Sequence, residues 1–305
     1  MRTNHGGSPR AAPVSISDPR SGSPRWPRAG DTVTRVTMLA ENREEESSVP
    51  TAIYPSLHER VVVITGGGQG LGRAYAHAFA EQGAIPVIAE IDAKAARVVV
   101  AEIEAKGGRA LAIETDVGDE ESTLAMAAET IAAFGRIDCL INNAALFSRI
   151  TMAPFWELPV EEWEAALRVN VTGAFLSARA VAPTMMDAGW GRIVNVSSTT
   201  VLTGRPNYLH YITSKSAMIA MTRSMSRELG PYNVTVHLFW PGAVETEIDR
   251  PSVSGSMFQE LATRQALPRP ATMDDFTGAV LFLCSDDAEY MTGQALVANG
   301  GLAYP

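Results

Sequence analysis

A short β-branched run, RVVVIT (60–65), passes without a linker into the turn Gly66-Gly67-Gly68-Gln69-Gly70-Leu71-Gly72 and then into an alanine-rich stretch, AYAHAFAEQG (74–83). That order reads as a buried strand, a tight glycine turn and a helix that Gly83 can cap. A helix entered this way offers unpaired N–H groups and the positive end of its dipole, a seat for a phosphate. The glycines let backbone approach the anion without Cβ clashes. Their spacing is G-x-x-x-G-x-G over Gly66, Gly70 and Gly72, and Leu71 falls where the last glycine of G-x-G-x-x-G would stand. Arg73-Ala74 occupies the place of the Lys-Ser/Thr that a Walker A loop requires. The turn points to the pyrophosphate of a dinucleotide and away from a nucleoside triphosphate.

Strand and helix patterns then alternate to the C-terminus. Strands are expected at AIPVIAEI, RALAIETDV, IDCLINNA, GRIVNVSS, NVTVHLFWPG and QALVANGG. Helices are expected at AKAARVVVAEIEAKGG, EESTLAMAAETIAAFG, EEWEAALRVNVTGAFLSARAVAPTMM, YITSKSAMIAMTRSMSRELG and MDDFTGAVLFLCS. Such alternation demands right-handed crossovers and a parallel sheet covered on both faces. The expected fold is therefore α/β, a doubly wound, Rossmann-like parallel sheet in one domain over residues 56–305. Residues 1–55 read differently. Up to Thr37 they are rich in Gly, Ser, Pro and Arg, with six Arg against two Asp and no apolar periodicity, so a disordered N-terminal extension is expected. An Arg-rich start also suits a transit peptide, but the prolines break any amphipathic helix.

Composition removes several function classes. The 305 residues carry a formal charge of −9 and no basic block, so nucleic acid is not an expected partner. No apolar run approaches the roughly 18–20 residues that span a bilayer, and no membrane association is expected. Only Cys139 and Cys284 occur, both inside apolar runs, which fits a reducing, cytoplasmic setting. Five scattered histidines give no metal site.

The second strand ends in Glu90, 18 residues beyond Gly72, where a carboxylate can accept from ribose hydroxyls and repel a 2′-phosphate. NAD is thus favoured over NADP, although Lys94 and Arg97 stand close enough to keep NADP open. Asp116, at the end of the third strand, could meet the adenine edge or cap the next turn. Further on, Tyr211 and Lys215 are four residues apart and share one helix face. A phenol with a pKa of ~10 is a poor base at neutral pH, but a neighbouring ammonium stabilises its phenolate. Ser198, at the end of IVNVSS, can hydrogen-bond the substrate oxygen. Tyr208 has Ile212 one turn on instead of a lysine, so it belongs to the pocket wall or the core.

These motifs together resemble the short-chain dehydrogenase/reductase family over about residues 57–303. The family's T-G-x-x-x-G-x-G matches Thr65 to Gly72. Its N-N-A-G appears as Asn142-Asn143-Ala144-Ala145, with alanine for the final glycine. The active-site serine matches Ser198, Y-x-x-x-K matches Tyr211 and Lys215, and P-G-x-x-x-T matches Pro241-Gly242 and Thr246. The resemblance implies a catalytic tetrad of Asn170, Ser198, Tyr211 and Lys215, with Asn170 holding a water that links Lys215 to solvent. It implies cofactor contacts from Gly66, Gln69, Gly70, Leu71, Gly72, Glu90, Asp116, Val117, Asn143, Tyr211, Lys215, Pro241, Gly242, Val244 and Thr246, and a homo-oligomer, tetramer or dimer. The chain departs from the family in His237-Leu238-Phe239-Trp240, bulk that either reshapes the strand end beside the nicotinamide or fills core.

The substrate is expected among the loops beyond the strand ends. Candidates for the pocket are Phe147, Thr200, Tyr208 and Trp240, with Leu146, Phe155, Trp156, Thr199, Val201 and the 248–258 region nearby. That lining is apolar and aromatic, with arginines only nearby at 149, 205 and 250. A small or aromatic secondary alcohol or its ketone fits it best. The stretch SSTT through HYITSK is similar to NAD-dependent 1-phenylethanol dehydrogenases within the family. An NADPH-dependent 3-oxoacyl or ketone reductase and a non-catalytic NAD-binding scaffold stand as alternatives.

Overall fold

In the computed structural model, residues 52–148, 150–248 and 255–305 are described. The disorder expected of residues 1–51 lies outside them. From Ala52 the chain already meets the domain: Tyr54 N–H donates to Gln82 Oε1 at 2.8 Å, and its ring packs on the core.

Seven strands form one sheet: β1 (Val61–Thr65), β2 (Ile85–Glu90), β3 (Leu111–Glu114), β4 (Cys139–Asn142), β5 (Gly191–Val196), β6 (Val234–Pro241) and β7 (Ala295–Ala298). Their order is β3-β2-β1-β4-β5-β6-β7, and every pairing is parallel. β1, β2, β4, β5 and β6 are buried at every residue. This is why they read as continuous apolar runs instead of alternating ones.

Alternate strand residues feed two cores. Val62, Ile64, Cys139, Ile141, Val194 and Phe239 pack against α1 (Gly70–Glu81), α2 (Ala93–Ala105) and α8 (Asp274–Cys284). Val61, Val63, Val87, Leu140, Ile193 and Val236 pack against α3 (Glu120–Phe134), α5 (Gly173–Ala188) and the end of α6 (Leu209–Leu229). The expected doubly wound α/β fold is the observed one.

Side chains fix the helix starts. Asp92 accepts from the N–H groups of Lys94 and Ala95 before α2, and Asp119 accepts from Ser122 N–H before α3. Two features differ from the sequence reading. The long helix expected from Glu161 is α4 (Val160–Leu167), a π-helical turn (Arg168–Thr172) and then α5. The widened turn places Asn170, and π-bulges recur at functional sites. Second, a helix α7 (Gly255–Arg264) stands in the region expected to be loop. Met257, Phe258, Leu261 and Ala262 already carry its spacing in the sequence.

Candidate active site

The strand order reverses between β1 and β4, and a doubly wound sheet leaves a crevice there beyond the C-terminal strand ends. A cleft of about 1010 Å³ occupies that position, bounded by the glycine turn, the ends of β2 to β6, the start of α6 and part of α7.

Its floor is a hydrogen-bonded junction. Thr65 Oγ1 donates to Ile141 C=O at 3.2 Å and accepts from Asn143 N–H and Ala144 N–H. Asn143 Nδ2 donates to the carbonyls of Thr65 and Gly66. The glycine turn is as crowded as the sequence suggests. A Cβ on Gly72 would lie 2.1 Å from the Gly66 oxygen, and Gly66 itself has φ +64 with its missing Cβ 2.9 Å from Ala144 Cα. At the N-terminus of α1, Gly70 N–H donates to Glu247 Oε1 at 2.9 Å. A carboxylate oxygen thus sits on an N–H of the first turn of α1, the kind of donor that suits a pyrophosphate.

Glu90 is buried (6% exposed) and lines the cleft. Its Oε2 accepts from Gly68 N–H at 3.1 Å, and its Oε1 accepts from Ile91 and Asp92 N–H. The carboxylate thus braces the glycine turn from the place expected for ribose recognition. Asp116 caps the following turn, Oδ1 accepting from Gly118 N–H, and its side chain also lines the cleft and pairs with Arg168 at 3.3 Å.

The polar side chains of β5 and α6 converge at the other end. Lys215 is 3% exposed and its Nζ donates to Val196 C=O at 2.8 Å. That nitrogen lies 5.9 Å from the centre of the Tyr211 ring. Burial lowers the Lys215 pKa to about 8. Ser197 Oγ donates to Lys215 C=O, tying α6 to the end of β5. Ser198 Oγ accepts from the Thr200 amide and lies 2.9 Å from Thr200 Oγ1, which fixes its direction.

Asn170, 2% exposed, stands one layer behind. Its Oδ1 accepts from Leu146 N–H at 2.7 Å and its Nδ2 donates to Ser214 Oγ at 2.9 Å; Ser214 in turn donates to Tyr211 C=O. The π-helical turn is thereby linked to the loop after β4 and to the helix carrying Tyr211 and Lys215. Ser214 and Glu247 were not among the expected site residues. Neither has a local signature, since their importance lies in contacts 44 and 177 residues away in sequence.

Of the expected cofactor residues, Gly66, Gln69, Leu71, Glu90, Asp116, Val117, Asn143, Tyr211, Lys215, Pro241, Gly242, Val244 and Thr246 line the cleft; Gly70 and Gly72 lie beneath its edge. Phe147, Thr200 and Tyr208 line it as expected of a pocket, but Trp240 does not. Its indole packs with Ala174, Met218 and Leu238 in a core cluster, because it points from β6 into the layer under α5 and α6. The bulk of this strand is core, and His237 fits that reading. Its Nε2 lies 2.8 Å from Thr235 Oγ1, and burial with the Arg192 charge holds its pKa at about 4, so the ring is neutral. Phe155 and Trp156 pack edge to face at the surface, 65% and 72% exposed, and do not line the cleft. The arginines at 149 and 250 fall outside the described residues. The lining is less apolar than expected: Arg168, Arg205, Glu260 and Arg264 also face it.

A parallel sheet with a tight glycine turn at its switch point, a serine after the end of β5 and a tyrosine and lysine on the adjoining helix α6 is the arrangement expected of a nicotinamide-dependent oxidoreductase. The chain belongs to the short-chain dehydrogenase/reductase family: a family model described as enoyl-(acyl carrier protein) reductase matches residues 66–303. It is 36% identical to a protein described as a probable galactose dehydrogenase of Rhizobium meliloti, over 84% of this chain and 99% of that one. It is 37% identical to a (2S)-[(R)-hydroxy(phenyl)methyl]succinyl-CoA dehydrogenase subunit of Thauera aromatica, over 80% and 97%. Among solved structures, one described as a short-chain alcohol dehydrogenase of Sinorhizobium meliloti 1021 superposes with a TM-score of 0.76 at 30% identity, covering 81% of this chain and 98% of that one. The protein is therefore an oxidoreductase acting on CH–OH groups with a nicotinamide cofactor. Among the described residues no helix is long and apolar enough to cross a membrane, and no three His, Cys, Asp or Glu side chains cluster as metal ligands.

Proposed function

We propose that the protein is an NAD-dependent dehydrogenase of secondary alcohols, interconverting a carbinol and its ketone. The observation that carries this reading is the buried Lys215 ammonium, tethered to Val196 C=O within 5.9 Å of the Tyr211 ring centre. When bound, the nicotinamide supplies the hydride acceptor for oxidation and the donor for reduction. Tyr211 takes the hydroxyl proton as the carbinol is oxidised and returns it in the reverse direction. Lys215 favours the phenolate by charge. Ser198, oriented by Thr200, holds the substrate oxygen toward Tyr211. Asn170 positions the α6 helix and the loop after β4 through Ser214 and Leu146, and in this reading also supports proton exchange with solvent.

Glu90 supports NAD over NADP, because a carboxylate in the ribose seat repels a 2′-phosphate. The relative whose name contains a phenyl carbinol supports an aromatic or hydrophobic substrate. The reading includes a folded domain over 56–305 preceded by an extension, a homo-oligomer built on the outer helices, where Phe175 of α5 is 43% exposed, and a cytoplasmic setting suited to two buried free thiols. The test is a panel of secondary alcohols offered with NAD and with NADP, followed at the absorbance of the reduced nicotinamide. Turnover with NAD at least tenfold more efficient than with NADP is expected. Turnover with neither, for every alcohol, contradicts the reading.

A further inference from the structure

The segment leaving β6 lies across the glycine turn. Glu247 Oε1 accepts from Gly70 N–H at 2.9 Å. The residues on either side of it rest on the same glycine: a Cβ on Gly70 would lie 3.0 Å from Ile248 Cδ1 and 3.6 Å from Thr246 Cγ2. Thr246 and Ile248 also line the cleft, as do Met257 and Leu261 of α7 further along the chain. One carboxylate therefore ties a wall of the cleft to the first turn of α1. The same Oε1 stands 3.8 Å from Arg73 Nη1, an ion-pair distance that is too long for a hydrogen bond. Arg73 is held in place from its other side. Its Nε and Nη2 donate to Glu102 at 2.9 and 2.6 Å, and Glu102 also meets His77 Nε2 at 2.9 Å.

We propose that Glu247 is a positioning residue that couples occupancy of the glycine turn to the wall of the cleft. In the cofactor-free protein its carboxylate holds Gly70 N–H and keeps Thr246 and Ile248 seated on the turn. When the turn takes up the diphosphate of the family's nicotinamide cofactor, Glu247 yields that N–H and closes by about 1 Å onto Arg73 Nη1, to hydrogen-bond length. Thr246 and Ile248 move with it, so the wall changes as the turn is filled. Charge sets the direction. A carboxylate and a diphosphate repel each other over one N–H group, whereas Arg73 attracts the carboxylate. The proposal rests on the nicotinamide cofactor of the family, and on neither the alcohol nor the NAD preference argued above.

The probes are ADP-ribose, which carries the diphosphate without the nicotinamide, and adenosine, which lacks both. Calorimetry on the full-length protein compares wild type, E247Q, R73M and the double variant. E247Q should bind ADP-ribose about 3- to 10-fold more tightly, with adenosine within about twofold of wild type. R73M should weaken ADP-ribose by about 3- to 10-fold while Glu247 is present, and by less than about twofold in E247Q, where no carboxylate needs receiving. An equal loss in both backgrounds means that Arg73 serves the diphosphate directly, and overturns the transfer. ADP-ribose bound no more tightly by E247Q overturns the competition. Hydrogen exchange over residues 243–248, read by mass spectrometry, follows the wall itself. In wild type ADP-ribose should change the exchange rate there by about threefold or more, and adenosine should not. In E247Q that change should vanish. Identical exchange with and without ADP-ribose in wild type, a measurement that needs no variant to fold, overturns the coupling. So does a change that survives in E247Q.

Discussion

The Lys215 ammonium donates to the Val196 carbonyl at 2.8 Å while standing 5.9 Å from the centre of the Tyr211 ring, at 3% exposure. A strand-end carbonyl and a helix side chain thus fix a charge beneath the phenol. The position is costly, because burial lowers the lysine pKa from 10.5 to about 8. At ~1.4 kcal/mol per pKa unit, holding the charge at pH 7 costs the folded state about 3 kcal/mol. Between pH 8 and 10.5 the unfolded chain retains a proton that the folded chain has released, so this contribution to stability rises with pH across that window. Lys215→Met is expected to lose turnover by 10³-fold or more, in the range of general-acid–base effects. It should also be more stable than wild type by about 1–3 kcal/mol at pH 7, after loss of the Val196 hydrogen bond. The advantage should vanish by pH 10.5, and urea denaturation at the two pH values measures it.

Glu247 occupies the helix N-terminus through Gly70 N–H. If the cofactor's pyrophosphate binds at this helix N-terminus, as proposed, the carboxylate repels that anion and competes for the same N–H. Glu247→Gln is expected to tighten NADH binding by about 3- to 10-fold, since like charges at close range in a partly buried site cost on the order of 1 kcal/mol. Titration of NADH fluorescence at low salt reads this directly. Unchanged or weaker binding would mean that Glu247 stabilises the loaded site instead.

Glu90 braces the glycine turn and lines the cleft, where the proposed reading has it meet the ribose. Glu90→Gln keeps the length of the side chain, and its amide oxygen can still accept from Gly68 N–H. Only the charge is removed. The NAD/NADP preference in kcat/KM is expected to fall by about tenfold, chiefly through a lower KM for NADP, because the repulsion of the 2′-phosphate is gone.

Asn170 joins Leu146 to Ser214. In Asn170→Ala the Leu146 N–H loses its partner, which costs about 1–3 kcal/mol of stability. Turnover should fall by more than tenfold while NADH affinity changes by less than threefold. Ser214→Ala breaks only the helix side of this link, so its loss in turnover should be smaller. Steady-state kinetics with calorimetric cofactor titration separates the two effects.

Much of this was legible in the sequence for physical reasons. Both-face burial writes β1, β2 and β4 to β6 as unbroken apolar runs, and the glycine turn leaves no room for a Cβ at Gly72. Tyr211 and Lys215 share a face because of the helical repeat alone. Trp240 was misplaced because a period of two cannot say which face of a fully buried strand looks toward the cleft and which toward the core. The π-helical turn at Arg168–Thr172 carries no compositional mark, being set by the tertiary contacts of Asn170. The role of Glu247 depends on its contact with Gly70, 177 residues away, which spacing along the chain does not encode.

The central claim is that the Tyr211 hydroxyl carries the proton of the reaction. Tyr211→Phe removes that one oxygen and keeps the ring against Tyr208. Single-turnover oxidation of a secondary alcohol that wild type turns over, measured beside NAD affinity in the same preparation, tests it most directly. The expected result is NAD affinity within about threefold of wild type and a rate lower by 10³-fold or more, on the scale of a lost general base. A variant that binds NAD and oxidises the alcohol within tenfold of the wild-type rate would contradict the assignment.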